Sequence, residues 1–275
     1  MRYVRKSGFY LGLFLFALFS VFPVAWMVIT AFKEDSDLYN VDNNPFLYNL
    51  PPTLKHIEYL FTSTHYPTFL WNSLFIGVLV VVITLVLAVP AAYSLARLVG
   101  RWGERSGIAV FLVYLIPPTL LFIPLYQLIS FAHAANTVWA LVLVYPTITV
   151  PFCTWLLLGF FKSIPRDLED AAMTDGCSRW QAFRRVSLPL AMPGIATCVV
   201  FAFALSLSDY IYAASFVSST AARTVSAGVP IELIRGDIYF WQSLMAAGAI
   251  VAIPLAIAYG LLFNKLVKGF AATSG

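Results

Sequence analysis

Charged side chains of this apolar chain are concentrated between Ser163 and Gly194, in the run SIPRDLEDAAMTDGCSRWQAFRRVSLPLAMPG. Acids, arginines and aromatic rings in one short segment suit recognition of a partner surface. A catalytic site would instead need a nucleophile with its base, or another cluster of reactive polar groups, and none stands in or beside the apolar segments. The segment is therefore predicted to dock a partner.

The same segment predicts two short helices joined by a glycine corner. Pro165 suits a first helical turn, and the acids that follow favour the positive end of a helix dipole. Gly176 accepts the left-handed conformation that ends helices, so the first helix should stop at Asp175-Gly176. Ser178 and Gln181 form a capping box for a second helix, which should end before Pro189. The first helix carries Asp167, Glu169 and Asp170, and the second carries Arg179, Trp180, Phe183, Arg184 and Arg185.

Asp209 is a second candidate, in the run FALSLSDYIYAASF near the outer end of a predicted span. A carboxylate at that depth normally faces protein or water. At helical spacing it shares a small, polar face with Ala202, Ser206 and either Tyr212 or Ala213, which favours a solute pathway with substrate hydroxyls as partners. A structural hydrogen bond to another helix is the alternative. We assign Tyr126 to the same candidate pathway.

The composition sets these residues in a membrane protein. Hydrophobic residues make up 60% of the chain and charged residues 11%, and the mean hydropathy is +0.83. Because a helix needs about 20 mostly apolar residues to cross a bilayer, six spans and an all-α fold are predicted. The predicted spans are Gly8–Phe32, Phe69–Leu95, Gly107–Phe131, Val138–Phe161, Gly194–Phe216 and Ser243–Phe263.

The basic residues predict the orientation, since Lys and Arg in short loops stay on the cytoplasmic side. One set of loops holds thirteen of the seventeen, and the other holds Lys33, Lys55, Arg223 and Arg235. Both termini and the polar segment are therefore predicted to be cytoplasmic, and nucleic acid is not a predicted partner. The inner set comprises Arg2, Arg5, Lys6, Arg97, Arg101, Arg105, Lys162, Arg166, Arg179, Arg184, Arg185, Lys265 and Lys268.

The histidines and cysteines indicate neither a metal site nor a disulfide. His56, His65 and His133 have no carboxylate or Cys at ligand spacing. The three cysteines lack a CxxC motif and fall in different compartments, so Cys153 and Cys198 are expected to be small buried residues.

Two outer segments and several prolines bear on transport. Residues 33–67 and 217–242 are expected to be external loops, where a soluble partner or an ordinary solvated connection fits equally well. Prolines inside the spans remove backbone donors and kink helices, which favours a cavity between them. These prolines are Pro90, Pro117, Pro118, Pro124, Pro146, Pro151 and Pro254.

The polar segment closely resembles the EAA loop of the permease subunits of bacterial ABC importers. The family pattern is Glu, a small or acidic residue, Ala-Ala, three residues, Gly, and then a spaced Val-x-Leu-Pro. The matching positions are Glu169, Asp170, Ala171, Ala172, Asp175, Gly176, Val186, Leu188, Pro189 and Pro193. Further blocks, such as AAYSLARL at 91–98 and NTVWAL at 136–141, resemble the carbohydrate-uptake subfamily, and within it the shorter, second subunit of maltose-type pairs.

The resemblance implies a single permease domain over residues 1–275, with the type I importer fold and a cytoplasmic EAA loop at about 162–193. It implies an inner-membrane, pore-forming half of a sugar importer. A second homologous permease would complete a heterodimer, two ABC ATPase copies would bind the loops, and an external binding protein would deliver the sugar. The chain would bind no cofactor, since it lacks a GxxxxGK(S/T) loop and the ATPase would hold ATP and Mg²⁺.

The resemblance also assigns roles within the loop. Glu169 would make an electrostatic contact with the ATPase, and Gly176 would form the corner. Arg184 and Arg185 would add contacts there or lie at the membrane surface, and Pro189 closes the motif.

Three alternative functions keep some of these features. A polyamine, phosphate or amino-acid importer would have the same loop. An ion-coupled secondary transporter would be expected to carry more intramembrane charge than Asp209, and a membrane enzyme would need the catalytic cluster that is missing.

Overall fold

The computed structural model describes residues 2–100 and 102–273, and most of this length is helical. Arg101, one of the predicted inner charges, lies outside the described residues, as do the side chains of Arg2, Arg5, Lys265 and Lys268. The helices are α1 (Arg2–Ala31), α2 (Asp35–Leu38), α3 (Lys55–Thr62), α4 (Tyr66–Arg97), α5 (Trp102–Tyr114), α6 (Pro118–Phe131), α7 (Val138–Val144), α8 (Pro146–Ser163), α9 (Arg166–Thr174), α10 (Arg179–Ala182), α11 (Leu188–Leu190), α12 (Met192–Ser208), α13 (Ile211–Phe216), α14 (Val225–Leu233) and α15 (Trp241–Thr273).

Apolar helices confirm the membrane architecture. Within the described residues, four spans are long and apolar enough to cross a bilayer, and six if each of two bent helix pairs counts as one. The unbroken spans are Phe9–Ala31, Tyr66–Arg97, Val138–Ser163 and Trp241–Leu261. These match the first, second, fourth and sixth predicted spans.

The third and fifth predicted spans are interrupted. The third bends by 87° between Tyr114 and Pro118, where two consecutive prolines stop the helix. The fifth was predicted to run to Phe216, but α12 ends at Ser208 and the backbone of Asp209 is extended. Helices continue without a break through Pro90, Pro124, Pro151 and Pro254, so these prolines do not end their spans.

The segment 217–242 is more regular than predicted. It contains α14, a 3-10 turn at Thr220–Ala222 and a hairpin of β1 (Ile234–Arg235) with β2 (Ile238–Tyr239). Gly236 begins the two-residue hairpin loop with a φ of +62°, a conformation that glycine adopts without steric cost. The all-α prediction thus gains one small antiparallel pair.

Internal contacts divide the chain into two units. The first unit comprises residues 1–67 and 228–257. In it, Lys33 and Asp37 form a buried ion pair with an N–O distance of 3.4 Å. The Lys33 ammonium also donates to the Leu47 carbonyl at 2.6 Å, and Asp37 accepts hydrogen bonds from Asn43 and Asn49. This pair therefore orders the proline-rich stretch that follows α2.

The second unit comprises residues 68–227 and 258–275 and contains two apolar clusters. One cluster surrounds Tyr145, Tyr212 and Phe216. The other joins α4, α8 and α12 to the polar segment, and both Cys153 and Cys198 are buried in it. It includes Ala88, Tyr93, Leu157, Phe161, Ile164 and Phe183. The polar segment is thus fixed to the core by its own aromatic residue.

Candidate functional site

The first helix of the polar segment forms as its sequence predicts. Helix α9 begins after Pro165, which lies at the N-cap with extended backbone, and it ends at Thr174. Gly176 has a φ of +89°, the left-handed region that favours glycine. The amide of Cys177 donates to the Ala172 carbonyl at 3.0 Å, so the corner satisfies carbonyls that the helix end leaves unpaired.

The second helix also starts as predicted but continues further. The Ser178 hydroxyl accepts from the Gln181 amide at 3.3 Å, and the Gln181 side chain accepts from the Ser178 amide at 2.8 Å. After α10 the chain forms a π-helical turn, Phe183–Ser187, and then α11. The predicted end before Pro189 is therefore wrong. Because the π turn shifts the hydrogen-bond register, the missing N–H of proline is accommodated, and the axis bends by 70° only between Leu190 and Met192.

Glu169 lies at the centre of the segment with its carboxylate inside the protein. Its exposed fraction is 6%, and three side chains from two elements donate to it. The Ser187 hydroxyl lies 2.6 Å from Oε1, Arg97 Nε lies 2.7 Å from Oε1, and the Tyr93 hydroxyl lies 3.0 Å from Oε2. The carboxylate is therefore enclosed by its own chain, because α9 packs that face against the end of α4. A contact between Glu169 and a partner stays a prediction.

The electrostatics of Glu169 keep it ionised. Burial alone would raise its pKa, but hydrogen bonds from Ser187, Arg97 and Tyr93 outweigh that effect and hold the pKa below its ordinary value. A buried carboxylate with a paired guanidinium is costly to break, since either partner alone would be left as an unpaired charge.

Further hydrogen bonds join the end of α4 to the start of the segment. Arg97 Nη2 donates to the Ile164 carbonyl at 2.7 Å, and Arg166 Nη2 donates to the Ala96 carbonyl at 3.3 Å. The ring of Phe183 packs 4.5 Å from that of Tyr93. We call residues 166–190, with Arg97 and Tyr93, the anchored loop.

The outer face of the anchored loop carries most of the other predicted coupling residues. Trp180 is 67% exposed although it is the largest side chain of the segment. Ala172 is half-buried. The exposed residues of the motif are Asp170, Ala171, Asp175, Gly176, Arg184 and Pro189.

Asp209 makes local contacts that its helical spacing did not predict. Because α12 ends at Ser208, the continuous face from Ala202 to Tyr212 does not form. Asp209 Oδ2 instead accepts from the amides of Tyr212 and Ala213, at 3.0 and 3.2 Å, and from the Tyr145 hydroxyl at 3.1 Å. It thus satisfies the first turn of α13 and joins it to the junction of α7 and α8, as the structural alternative anticipated.

The other predicted pathway residues are placed differently from one another. Ser206 is buried and donates to the Phe203 carbonyl at 2.8 Å. Tyr212 is buried and its hydroxyl donates to the Pro118 carbonyl at 2.6 Å. Tyr126 is 41% exposed, with its ring 5.5 Å from Phe216. The structure brings Asp209 and Tyr212 together and leaves Tyr126 exposed, and the pathway role of Tyr126 stays a prediction.

Arg97, Tyr93 and Ser187 were missed as functional residues. Tyr93 and Arg97 stand four positions apart at the end of a long apolar helix, so they share a face, from which both side chains reach Glu169 of α9. That spacing was the available signal. Among the described residues, no group of three or more His, Cys, Asp or Glu side chains could hold a metal ion.

Comparisons with known proteins agree over almost the whole chain. A family model described as "binding-protein-dependent transport system inner membrane component" matches residues 2–271. The trehalose/maltose transport system permease protein MalG of Thermococcus litoralis is 32% identical over 265 residues, covering 95% of this chain and 94% of that protein. The diacetylchitobiose uptake system permease protein DasC of Streptomyces coelicolor is 34% identical over 257 residues, covering 92% and 90%.

A solved structure shares the fold. It is described as a bacterial ABC transporter involved in the import of the acidic polysaccharide alginate, and one of its chains superposes with a TM-score of 0.77. The alignment covers 96% of this chain and 98% of that chain, at 19% sequence identity.

Proposed function

The chain belongs to the family of binding-protein-dependent transport system inner membrane components, and from that premise we propose that it is the pore-forming permease of a sugar or oligosaccharide importer. It is a multi-pass inner-membrane protein. The curated names of its relatives, among them permeases for trehalose, maltose and diacetylchitobiose, support a saccharide. They do not favour a polyamine, phosphate or amino-acid substrate.

In this proposal other chains supply energy and substrate. Two ABC ATPase copies bind ATP and Mg²⁺ at the cytoplasmic face, a second homologous permease completes the pore, and an external binding protein delivers the sugar. The permease subunit itself catalyses no reaction.

The anchored loop is the element through which we propose that ATP hydrolysis acts. Its exposed acids, Trp180 and Arg184 would dock in the ATPase, and closure of the ATPase dimer would push the loop. Because Arg97 at the end of α4 is bonded to Glu169 and to Ile164, movement of the loop is transmitted to a membrane helix. This tie is the observation that supports the coupling role, and it makes Glu169 a positioning residue.

Uptake by the reconstituted importer tests the proposed function. The permease pair, the ATPase and the binding protein would be placed in proteoliposomes. Accumulation of maltose, trehalose and diacetylchitobiose would be measured with and without ATP on the side of the membrane where the ATPase binds. ATP-dependent accumulation of at least one sugar is expected. Accumulation that needs an ion gradient and no ATPase, or of none of the three sugars, would contradict the proposal.

A further inference from the structure

The first unit contains a cavity that the coupling role does not use. It has a volume of about 430 Å³, within the range of roughly 300–1,000 Å³ typical of small-molecule sites. It lies among α2, α3, the hairpin and the start of α15, in segments predicted to be external. We call it the aromatic cavity. Its lining residues are Asp35, Tyr39, Lys55, His56, Tyr59, Ile238, Tyr239, Phe240, Gln242 and Ser243.

The floor of the aromatic cavity is built from buried polar side chains. His56, Gln242 and Ser243 are 7%, 2% and 1% exposed. The Gln242 amide donates to Asp35 Oδ1 at 3.0 Å. His56 Nε2 is buried, and no hydrogen-bond partner for it exists among the residues that the structure describes; its nearest acid, Asp35, lies 3.8 Å away. The Asp35 carboxylate, whose side chain is 52% exposed, is the acceptor that a ligand in the cavity can reach.

The walls of the cavity are aromatic and held in place. The rings of Tyr59 and Phe240 stack at 5.7 Å with an interplanar angle of 16°. Tyr239 stacks on Trp241 at 5.1 Å and 7°. The Tyr39 hydroxyl donates to the Tyr239 carbonyl at 3.1 Å, which fixes α2 to the hairpin. Such pairs are arranged before a ligand arrives, and preorganisation lowers the entropic cost of binding.

The combination selects the chemistry of the ligand. A purely apolar ligand would displace water from the exposed Asp35 carboxylate without replacing its hydrogen bonds, and an anion would meet Asp35, whose charge Lys55 already balances at 3.2 Å. A sugar ring fits both parts, because its C–H faces pack on aromatic rings and its hydroxyls donate and accept. Resting on the proposed import of saccharides, we propose that the aromatic cavity binds one ring of a neutral sugar on the outer side of the membrane. The permease would then contact its substrate before the transmembrane pathway.

Saturation-transfer NMR on the assembled complex tests this site. The complex would be held in nanodiscs without the binding protein, and maltose, trehalose and diacetylchitobiose would be titrated in turn. We expect transfer to ring C–H protons of at least one sugar. Asp35→Leu and the rim variant Tyr239→Ala should each raise its Kd on the order of tenfold. His65→Ala, which removes an imidazole of the same outer segment outside the cavity, should leave the Kd unchanged.

Two outcomes would overturn the inference: no transfer to any of the three sugars, or a Kd that neither cavity variant changes. Since Tyr239 is exposed on the rim, its variant remains informative if Asp35→Leu misfolds. The uptake assay is independent of this measurement. Uptake without binding at the aromatic cavity would refute the proposed sugar site and leave the proposed importer function standing. Binding without uptake would refute the importer function and leave the sugar site standing.

Discussion

At the scale of single residues, Glu169 shows how one buried acid can organise a docking element. Its carboxylate collects donors from α4 and from the π turn, so the loop cannot move as a unit without moving Arg97 or breaking the pair. The lowered pKa means that this contribution is present above the ordinary carboxyl pKa and is lost as the pH falls through the lowered value.

Removing one partner of this pair should cost more than removing both. Glu169→Gln leaves Arg97 buried without a counter-charge, and we expect a loss on the order of 3–5 kcal/mol in the stability of the complex. The double variant Arg97→Met, Glu169→Gln removes both charges and should recover part of that loss. Thermal unfolding of the purified complex measures both. Equal destabilisation by the single and double variants would show that the two charges do not act together.

Two substitutions of Asp209 distinguish three possible roles of this residue: helix cap, sugar contact and proton coupling. Asp209→Asn keeps an oxygen for the α13 amides and should transport nearly normally, whereas Asp209→Leu loses the cap, worth about 0.5–2 kcal/mol. A capping role predicts a lower melting temperature for Leu. A sugar contact predicts normal stability with lost uptake, and proton coupling predicts that Asn is as damaging as Leu. Uptake and melting at matched membrane levels distinguish them; normal uptake and melting of Asp209→Leu would make the residue peripheral.

The residue scale also shows where sequence reasoning stops. Asp209 was correctly singled out as a costly charge, but its partner Tyr145 is distant in sequence and its helix break has no Pro or Gly to announce it. The ion pair of Glu169 with Arg97 spans 72 positions, so charge counting assigned Arg97 only to a side of the membrane.

At the scale of elements, the anchored loop was predictable wherever local rules decide. The capping box and the glycine corner depend on neighbours within a few residues, and both formed as predicted. The π turn did not follow from local rules, because it places Phe183 against Tyr93 of another helix. Tertiary packing there outweighs the tendency of Pro189 to end a helix.

Gly176→Pro should abolish uptake while the protein still reaches the membrane. Proline cannot adopt the φ of +89° and removes the amide that donates to the Met173 carbonyl at 3.1 Å. Gly159→Ala is the matched control, since a Cβ there meets no atom within 4 Å and helical alanine is favourable. ATP-driven uptake and membrane abundance would be measured together. Normal uptake by Gly176→Pro would rule out a coupling role for the corner.

At the scale of the whole molecule, hydropathy predicted the helices that lipid must surround and missed their interruptions. Bilayer thickness sets span length, so the four unbroken spans were found within a few residues of their ends. The consecutive prolines Pro117 and Pro118 predicted the bend in the third span. The hairpin and the Lys33–Asp37 pair depend on contacts outside the apolar spans, and hydropathy does not predict such contacts.

The orientation remains a prediction that two reporters can check. With thirteen of the seventeen basic residues assigned to one side, a reporter fused after Lys268 should be cytoplasmic and one inserted near Asn43 should be external. Alkaline phosphatase and green fluorescent protein fusions report the two sides. Both positions on the same side would mean that the number of spans is odd.

Photo-crosslinking from the exposed face of the anchored loop tests the central claim most directly. Benzoylphenylalanine in place of Trp180, which is 67% exposed, should crosslink to the ATPase in membranes that contain the assembled importer. The same group in place of Trp139, which is 51% exposed and predicted to lie near the outer face, should not. A crosslink from position 180 to the ATPase is the predicted result; its absence in a complex that transports sugar would contradict the docking role of the loop.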